Sequence, residues 1–366
     1  MYRSASKIRD MTEPSQAREP ALSATVPGAT APARLDIVSF NDVEAYRDTI
    51  RYSSSHMIVR RAPGFTGWLG MLELDGVGLV RSEHNASMSV TAAVRRPVFL
   101  FSTNPRSRVR VAGRDFPWGM LYRVDPGEPF HCSSEDYFAW ATIGFDGNRL
   151  TADMETLGYR NLARLGHGAL FNAAATPGWE RLLATHRAAL RTCMTTPAEL
   201  ASACAAAHLA DTLTQALLEC LDTGDLEPDR AAVRRHHAIL NRMLDAIEAD
   251  PRSEVTVTSL CRGANVTART LQDVCLHYLG VTPTHYLRFH RLLRVHRALR
   301  ASDPAVTGTR EVFARNGFWD IARAEKAYRA VFGQMAGDTR DAGESRVLVQ
   351  EDKELLTRFR MLPRGR

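Results

Sequence analysis

An α+β chain is predicted, with a β-rich first half and an all-helical second half, and three observations predict it. Between position 34 and about 150, short alternating apolar runs are separated by Gly, Pro, Asn and Asp at intervals of about eight to twelve residues, the signature of an antiparallel sandwich or small barrel. After Phe145 the apolar period lengthens to that of helices. The stretch Val257–Tyr278, VTSLCRGANVTARTLQDVCLHY, reads as helix, tight turn, helix, and a stretch of the same kind, GFWDIARAEKAYRAVFG, follows about fifty residues further on. The 366 residues, 45% of them hydrophobic, suffice for two domains that each bury a core.

Residues 1–33 are rich in Ala, Ser, Thr and Pro, lack apolar periodicity and are expected to be a disordered tail. LDIVSFNDVEAYRDTI then opens a strand and a short helix, with Asp42 near the helix start. The runs MIVRRA, WLGMLELDGVGLVRS, SMSVTAAV, PVFLFST, RVRVAG, MLYRVDP and YFAWATIGF supply the sheet. Pro177 and Trp179 precede the helix WERLLATHRAALR, and Pro197 suits the first turn of PAELASACAAAHLADTLTQALLECL. On that helix Leu209, Leu213, Ala216, Leu217 and Cys220 form an apolar stripe. Such a stripe is first of all a core face, although it is also where two copies are expected to pair. GDLEPD, residues 224–229, concentrates Gly, Pro and acids and marks the boundary, so the β-rich domain is expected over 34–225 and the helical domain over 230–340. A basic tail, 341–366, closes the chain.

The helix Ala231–Ala249 can cover the first helical unit with Val233, Ile239, Leu240, Met243, Leu244 and Ile247. Gly263, Ala264 and Asn265 are corner residues, Val266 plugs the angle and Thr267 is placed as an N-cap. From there Leu271, Val274 and Cys275 face inward, leaving Ala268, Arg269, Gln272, Asp273 and Leu276 outside. A polar face on a second helix held across a first is the geometry that enters a DNA major groove. Small-cornered helical hairpins also occur in proteins that never touch DNA. Gly280 closes the unit and Pro283 starts THYLRFHRLLRVHRALR, whose Arg291, Arg294 and Arg297 suit either a phosphate backbone or a solvated surface.

TSLCRGANVTARTLQDV, LGVTPTHYLRFHRLLRVHRALR and ARNGFWDIARAEKAYRAVFG, in that order and nearly contiguous, resemble the AraC/XylS-type transcription regulators, in particular those with a longer amino-terminal half. The resemblance covers about residues 235–340. It implies two helix-turn-helix units joined by a linker helix. Ala268, Arg269, Gln272 and Asp273 would face one groove, and Asp320, Ile321, Ala322, Arg323 and Lys326 the next, with Arg291, Arg294 and Arg329 on the backbone. It further implies a jelly-roll-like sensor half holding a small-molecule effector, for which Trp68, His84, Trp118, Tyr122, His131, Tyr137 and Trp140 are candidates. Double-stranded DNA, an effector, a second copy of the chain and RNA polymerase are the expected partners.

Departures from the family pattern concentrate in the second unit. The stretch between Pro304 and Gly317 is about three residues longer than is usual in the family, Ala324 stands where a large apolar anchor is usual, and no proline follows soon after Phe332-Gly333. A truncated anchor costs about 1–3 kcal/mol if nothing refills the space. In the first unit, Cys275 stands where phenylalanine is frequent and Asp273 where a basic residue is common.

The net charge of +6 permits an acidic polymer as partner. Six cysteines without a CxxC pair, and His56, His84 and His131 each standing alone, build no zinc site, so no metal or cofactor is expected. No apolar run spans a membrane and no secretory signal opens the chain, so a cytoplasmic protein is expected. No nucleophile-and-base pair or phosphate loop points to an enzyme. Two other readings stay open: a small-molecule carrier or enzyme with the helical half as oligomerisation module, and a degenerate paralogue that pairs with an active regulator.

Overall fold

The computed structural model describes residues 34–50, 53–61, 64–127, 129–159, 162, 168–196, 202–227, 231–248, 255–303, 306–341 and 346–348. The expected tail 1–33 lies outside them, as does most of 341–366. β1 (Arg34–Phe40) leads to a short helix, α1 (Val43–Thr49), whose N-cap Asp42 accepts from the Ala45 N–H at 2.8 Å. The sheet strands follow: β2 (Ser53–Arg61), β3 (Gly67–Leu74), β4 (Val77–His84), β5 (Ser87–Val94), β6 (Val98–Ser102), β7 (Val109–Val111), β8 (Arg114–Asp115), β9 (Met120–Val124), β10 (Phe130–Ser134) and β11 (Phe138–Phe145). Next come α2 (Arg149–Thr156), β12 (Leu170–Asn172), α3 (Pro177–Thr195), α4 (Ala203–Thr223) and β13 (Asp225–Glu227). The helical half contains α5 (Ala231–Glu248), α6 (Val257–Ala264), α7 (Ala268–Leu279), α8 (Pro283–Ala301), α9 (Thr309–Arg315), α10 (Ile321–Phe332) and α11 (Asp338–Asp341), and β14 (Arg346–Leu348) follows.

The strands form two antiparallel sheets, ordered β13-β12-β9-β6-β11-β4-β3-β1-β14 and β2-β5-β10-β7-β8. The predicted run WLGMLELDGVGLVRS divides at Asp75-Gly76, where Gly76 takes φ +66° and turns β3 back on β4 with Leu72 opposite Leu79. Strands β8, β10, β12, β13 and β14 have no counterpart in the sequence reading. β10 carries His131 and Ser133 on the face covered by the helical half, so the usual apolar-in, polar-out alternation is masked. β13 lies inside the proposed boundary segment 224–229 and pairs with β12, Leu226 opposite Phe171, so the sheet runs through Glu227. At the other edge, Val347 pairs with Ser39, which ties part of the expected tail to β1.

Three layers follow from the alternation of side chains. The outer face of the larger sheet packs Leu79, Phe99, Phe101 and Ile143 against Trp179, Leu182 and Leu190 of α3 and Leu213 and Leu217 of α4. Leu213 and Leu217 are each 0% exposed, so the stripe is core within one chain and the expected pairing contact through it is corrected. Burying the two leucines stabilises the fold by about 3–6 kcal/mol. α4 itself begins at Ala203, where Ser202 accepts from the Ala205 N–H at 3.1 Å; Pro197 lies outside the described residues. Pro177 does open α3, and Trp179 is a buried residue of that helix rather than its preface.

The smaller sheet faces two ways. Met57 and Val59 of β2 point into the sandwich, while Ile58 between them joins Leu240, Met243 and Tyr278 of the helical half. Helices α6 and α7 meet at Asn265 in the left-handed region (φ +54°), and the Thr267 hydroxyl accepts from the Thr270 N–H at 3.2 Å. Leu271, Val274 and Cys275 are buried beside Ile239, Leu240, Met243, Leu244 and Ile247 of α5; the Val233 side chain lies outside the described residues. In the second unit Ala324, 2% exposed, packs in a cluster with Phe313, Phe318 and Tyr328, the Phe313 ring lying 5.8 Å from Phe318 and 5.9 Å from Tyr328. Beyond Gly333 the chain is held by Thr339, which meets the Tyr328 hydroxyl at 2.7 Å and the Gln334 amide at 3.0 Å. Among the described residues no helix is long and apolar enough to cross a membrane.

Candidate nucleic-acid interface

Helix α7 has one buried and one exposed face. Ala268, Arg269, Gln272 and Asp273 are exposed, opposite Leu271, Val274, Cys275 and Tyr278. Helix α10 repeats the arrangement, with Ala322, Arg323, Lys326 and Arg329 exposed, Ile321 half-buried, and Ala324, Tyr328 and Val331 inside. Asp320 is exposed, but its carboxylate is the N-cap of α10 and accepts from the Arg323 N–H at 3.1 Å. That hydrogen bond starts the helix.

A cleft of about 460 Å³ lies between the start of α8 and the second unit. It brings together Arg291, Asp320 and Arg323, and adds His285, Arg288 and Trp319, which the sequence reading did not single out. Arg288 was legible as the member of the Arg288, Arg291, Arg294 row three residues earlier. Trp319 is 84% exposed, immediately before the helix cap, and no periodicity marks such a position. Three arginines and a histidine stand around this cleft with the Asp320 carboxylate among them, and a bare indole lies at its edge. Arg294, half-buried, is not part of the cleft lining.

The arginine row of α8 changes partner along its length. Arg297 Nε donates to Glu44 Oε2 at 2.7 Å, and Arg300 Nη1 donates to Asp42 Oδ1 at 2.8 Å. The C-terminal half of the linker helix therefore grips α1 of the sheet domain, and the expected phosphate role of Arg297 is corrected. His296, buried, meets the other Asp42 oxygen at 3.3 Å and the Tyr328 hydroxyl at 2.6 Å. Burial acts to raise the Asp42 carboxyl, but the His296 hydrogen bond, the Ala45 N–H and the nearby charges lower it to about 2. A second seam joins α7 to the smaller sheet. The Ser89 hydroxyl donates to the Leu279 carbonyl, and the His131 ring stands edge-on to Tyr278 at 6.2 Å.

The effector candidates separate in space. A cavity of about 110 Å³ lies between the sheets, and His84 and Trp140 are in its wall with Tyr46, Met88, Phe138 and other apolar residues. Trp68 packs in the core beneath the helices, Trp118 meets Trp179 at 5.4 Å, and Tyr122 packs with Phe130 and Leu170. His131 belongs to the domain seam, and Tyr137 is likewise absent from the cavity wall. Tyr46 and Ile50, both from α1 or its C-cap, line the cavity and were not singled out from sequence.

Comparison with known proteins bears on the helical half. Residues 260–342 match a protein family described as a helix-turn-helix domain. The "Probable thc operon regulatory protein" of Rhodococcus erythropolis is 32% identical over 95 residues, 26% of this chain and 29% of that protein. The XylDLEGF operon transcriptional activator of Pseudomonas putida is 24% identical over 132 residues, 36% of this chain and 40% of that protein. The chain thus spans less than half the length of either relative. Among solved structures, the AraC-like transcriptional activator CuxR is matched at 13% identity over 75% of this chain and 98% of that one, with a TM-score of 0.39. ToxT from Vibrio cholerae is matched at 8% identity over 85% and 97%, with a TM-score of 0.27.

Proposed function

We propose, from the AraC/XylS-type helix-turn-helix domain that residues 260–342 carry, that this chain is a sequence-specific DNA-binding transcription regulator. The observation that carries the proposal is the pair of helices α7 and α10. Each is seated on its own turn with an apolar face buried and Arg269 with Gln272, or Arg323 with Lys326, left exposed. In this proposal Arg269 and Gln272 read base edges, with Asp273 able to accept from a cytosine amine, and Arg291, Arg323, Lys326 and Arg329 hold phosphates. The sheet domain receives a small effector in the cavity between its sheets. The chain acts as a regulator rather than an enzyme, in the cytoplasm, with RNA polymerase as a further partner. It works as a homodimer paired through a surface other than the buried stripe of α4.

Selection from a random duplex pool by the full chain tests the proposal. Enrichment of a defined motif is the expected result. Uniform, weak retention points to the degenerate paralogue, and no retention at low salt removes the DNA reading altogether.

A further inference from the structure

Trp319 stands exposed although the residues on either side of it are pinned. Gly317 takes φ +77°, the Phe318 N–H donates to the Phe313 carbonyl at 3.1 Å, and the Phe318 ring packs edge-on to Phe313 at 5.8 Å. On the other side the Asp320 carboxylate accepts from the Arg323 N–H at 3.1 Å and starts α10. An indole set between an anchored ring and a helix cap is held outward by its own backbone, so its apolar surface stays in water although burying it is favourable. The other four tryptophans are buried or half-buried. Singly exposed apolar residues are common, and what sets this one apart is its surroundings.

Those surroundings are cationic. His285, Arg288 and Arg291 from the first half of α8 and Arg323 from the first turn of α10 share the cleft with Trp319. Further along α8, Arg297 and Arg300 are taken up by Glu44 and Asp42. Among the described residues no carboxylate lies within ion-pair distance of the Arg288, Arg291 or Arg323 side chains, and the one acid of the cleft, Asp320, is engaged by the backbone of α10. Unpaired cations beside a large apolar surface fit a polyanion whose charges alternate with apolar groups. The sugar-phosphate strand of a duplex is such a partner, with phosphates for the arginines and the carbon faces of deoxyribose for the indole. Trp319 also adjoins the N-terminal end of α10, the end whose residues meet DNA in a helix-turn-helix.

We infer that Trp319 packs on a deoxyribose of bound duplex DNA, between phosphates held by Arg288, Arg291 and Arg323, as an apolar anchor indifferent to base sequence. An aromatic side chain buries a large area with few rotatable bonds, which suits it to fix one point of the strand. The inference rests on the proposed DNA-binding role and deepens it, because the second unit then binds by apolar contact as well as by charge.

The test measures binding of the full chain to two duplexes, one enriched from a random pool and one of unrelated sequence, over a series of salt concentrations. Trp319→Ala should weaken both duplexes alike, by about 10- to 30-fold, as expected for burial of part of an indole. It should leave the slope of log affinity against log salt unchanged, because an apolar contact releases no counterion, whereas Arg288→Ala should reduce that slope by about 0.9. Trp319→Phe should restore most of the affinity. Acrylamide quenching of tryptophan fluorescence reads the contact without any substitution: either duplex should shield the exposed indole of the native chain, and the neutral quencher leaves the ionic strength unchanged. A loss confined to the enriched duplex overturns the sugar contact, since the indole then reads a base. Affinity unchanged in Trp319→Ala, or an indole that stays as quenchable in the complex as in the free chain, overturns the inference while the DNA-binding proposal stands. A native chain that binds neither duplex overturns both.

Discussion

Asp42 Oδ1 accepts from Arg300 Nη1 at 2.8 Å, joining residues 258 positions apart in the chain. The same carboxylate caps α1 through the Ala45 N–H and meets His296. One side chain thus starts a helix that lines the cavity through Tyr46 and holds the linker helix that carries the proposed DNA face. The relation separates under mutation. Asp42→Asn keeps a capping oxygen but removes the charge, whereas Asp42→Ala removes both. Urea unfolding should place Asn about 1–2 kcal/mol and Ala about 2–4 kcal/mol below the native chain, the difference being the cap. Equal losses from the two variants would mean that the cap contributes nothing.

The same carboxyl sets an acid limit. Its pKa in the folded chain is lowered to about 2 from an ordinary 3.8, so between these values the unfolded chain binds more protons. The stabilisation is therefore complete above about pH 4 and is lost as pH falls toward 2. It amounts to about 2 kcal/mol. In Asp42→Asn the pH dependence over that window should be shallower by this amount, measured by unfolding at pH 2 to 5.

How far the sequence reached can be judged element by element. Leu271, Val274 and Cys275 at helical spacing located the buried face of α7, and the turn residues around Asn265 located the corner, because both signals are local. What escaped was non-local. β10 hides its alternation because both its faces are covered, and Arg297 looks like any solvated arginine until Glu44 is placed beside it. His131 and His84 are indistinguishable as isolated histidines in strands. Which face each occupies depends on register, and only packing sends one to the seam and the other to the cavity.

The stripe of α4 gives a stability prediction. Leu213→Ala should lower stability by about 2–5 kcal/mol, because the side chain is fully buried against the sheet. Leu213→Glu with Leu217→Glu should abolish the folded state, seen as loss of the cooperative melting transition. A folded monomer from the double variant would return this stripe to the surface.

The cleft between α8 and α10 gives another. Trp319→Ala should leave urea stability within about 0.5 kcal/mol, since the indole is exposed. In the same cleft, Arg291→Ala should weaken binding to every duplex alike and reduce the slope of log affinity against log salt by about 0.9. An unchanged slope would remove Arg291 from the phosphate surface.

The most direct measurement sets α7 against α10. Binding sites are selected from a random duplex pool at two salt concentrations with the native chain, Arg269→Ala and Lys326→Ala. Arg269→Ala should relax preference at one base position, at a cost of about 1–3 kcal/mol in discrimination, and leave the salt slope nearly intact. Lys326→Ala should weaken all sequences equally and flatten the slope by about one unit. A native chain that enriches no motif, or variants that leave both preference and slope unchanged, would contradict a regulator that reads DNA through these two helices.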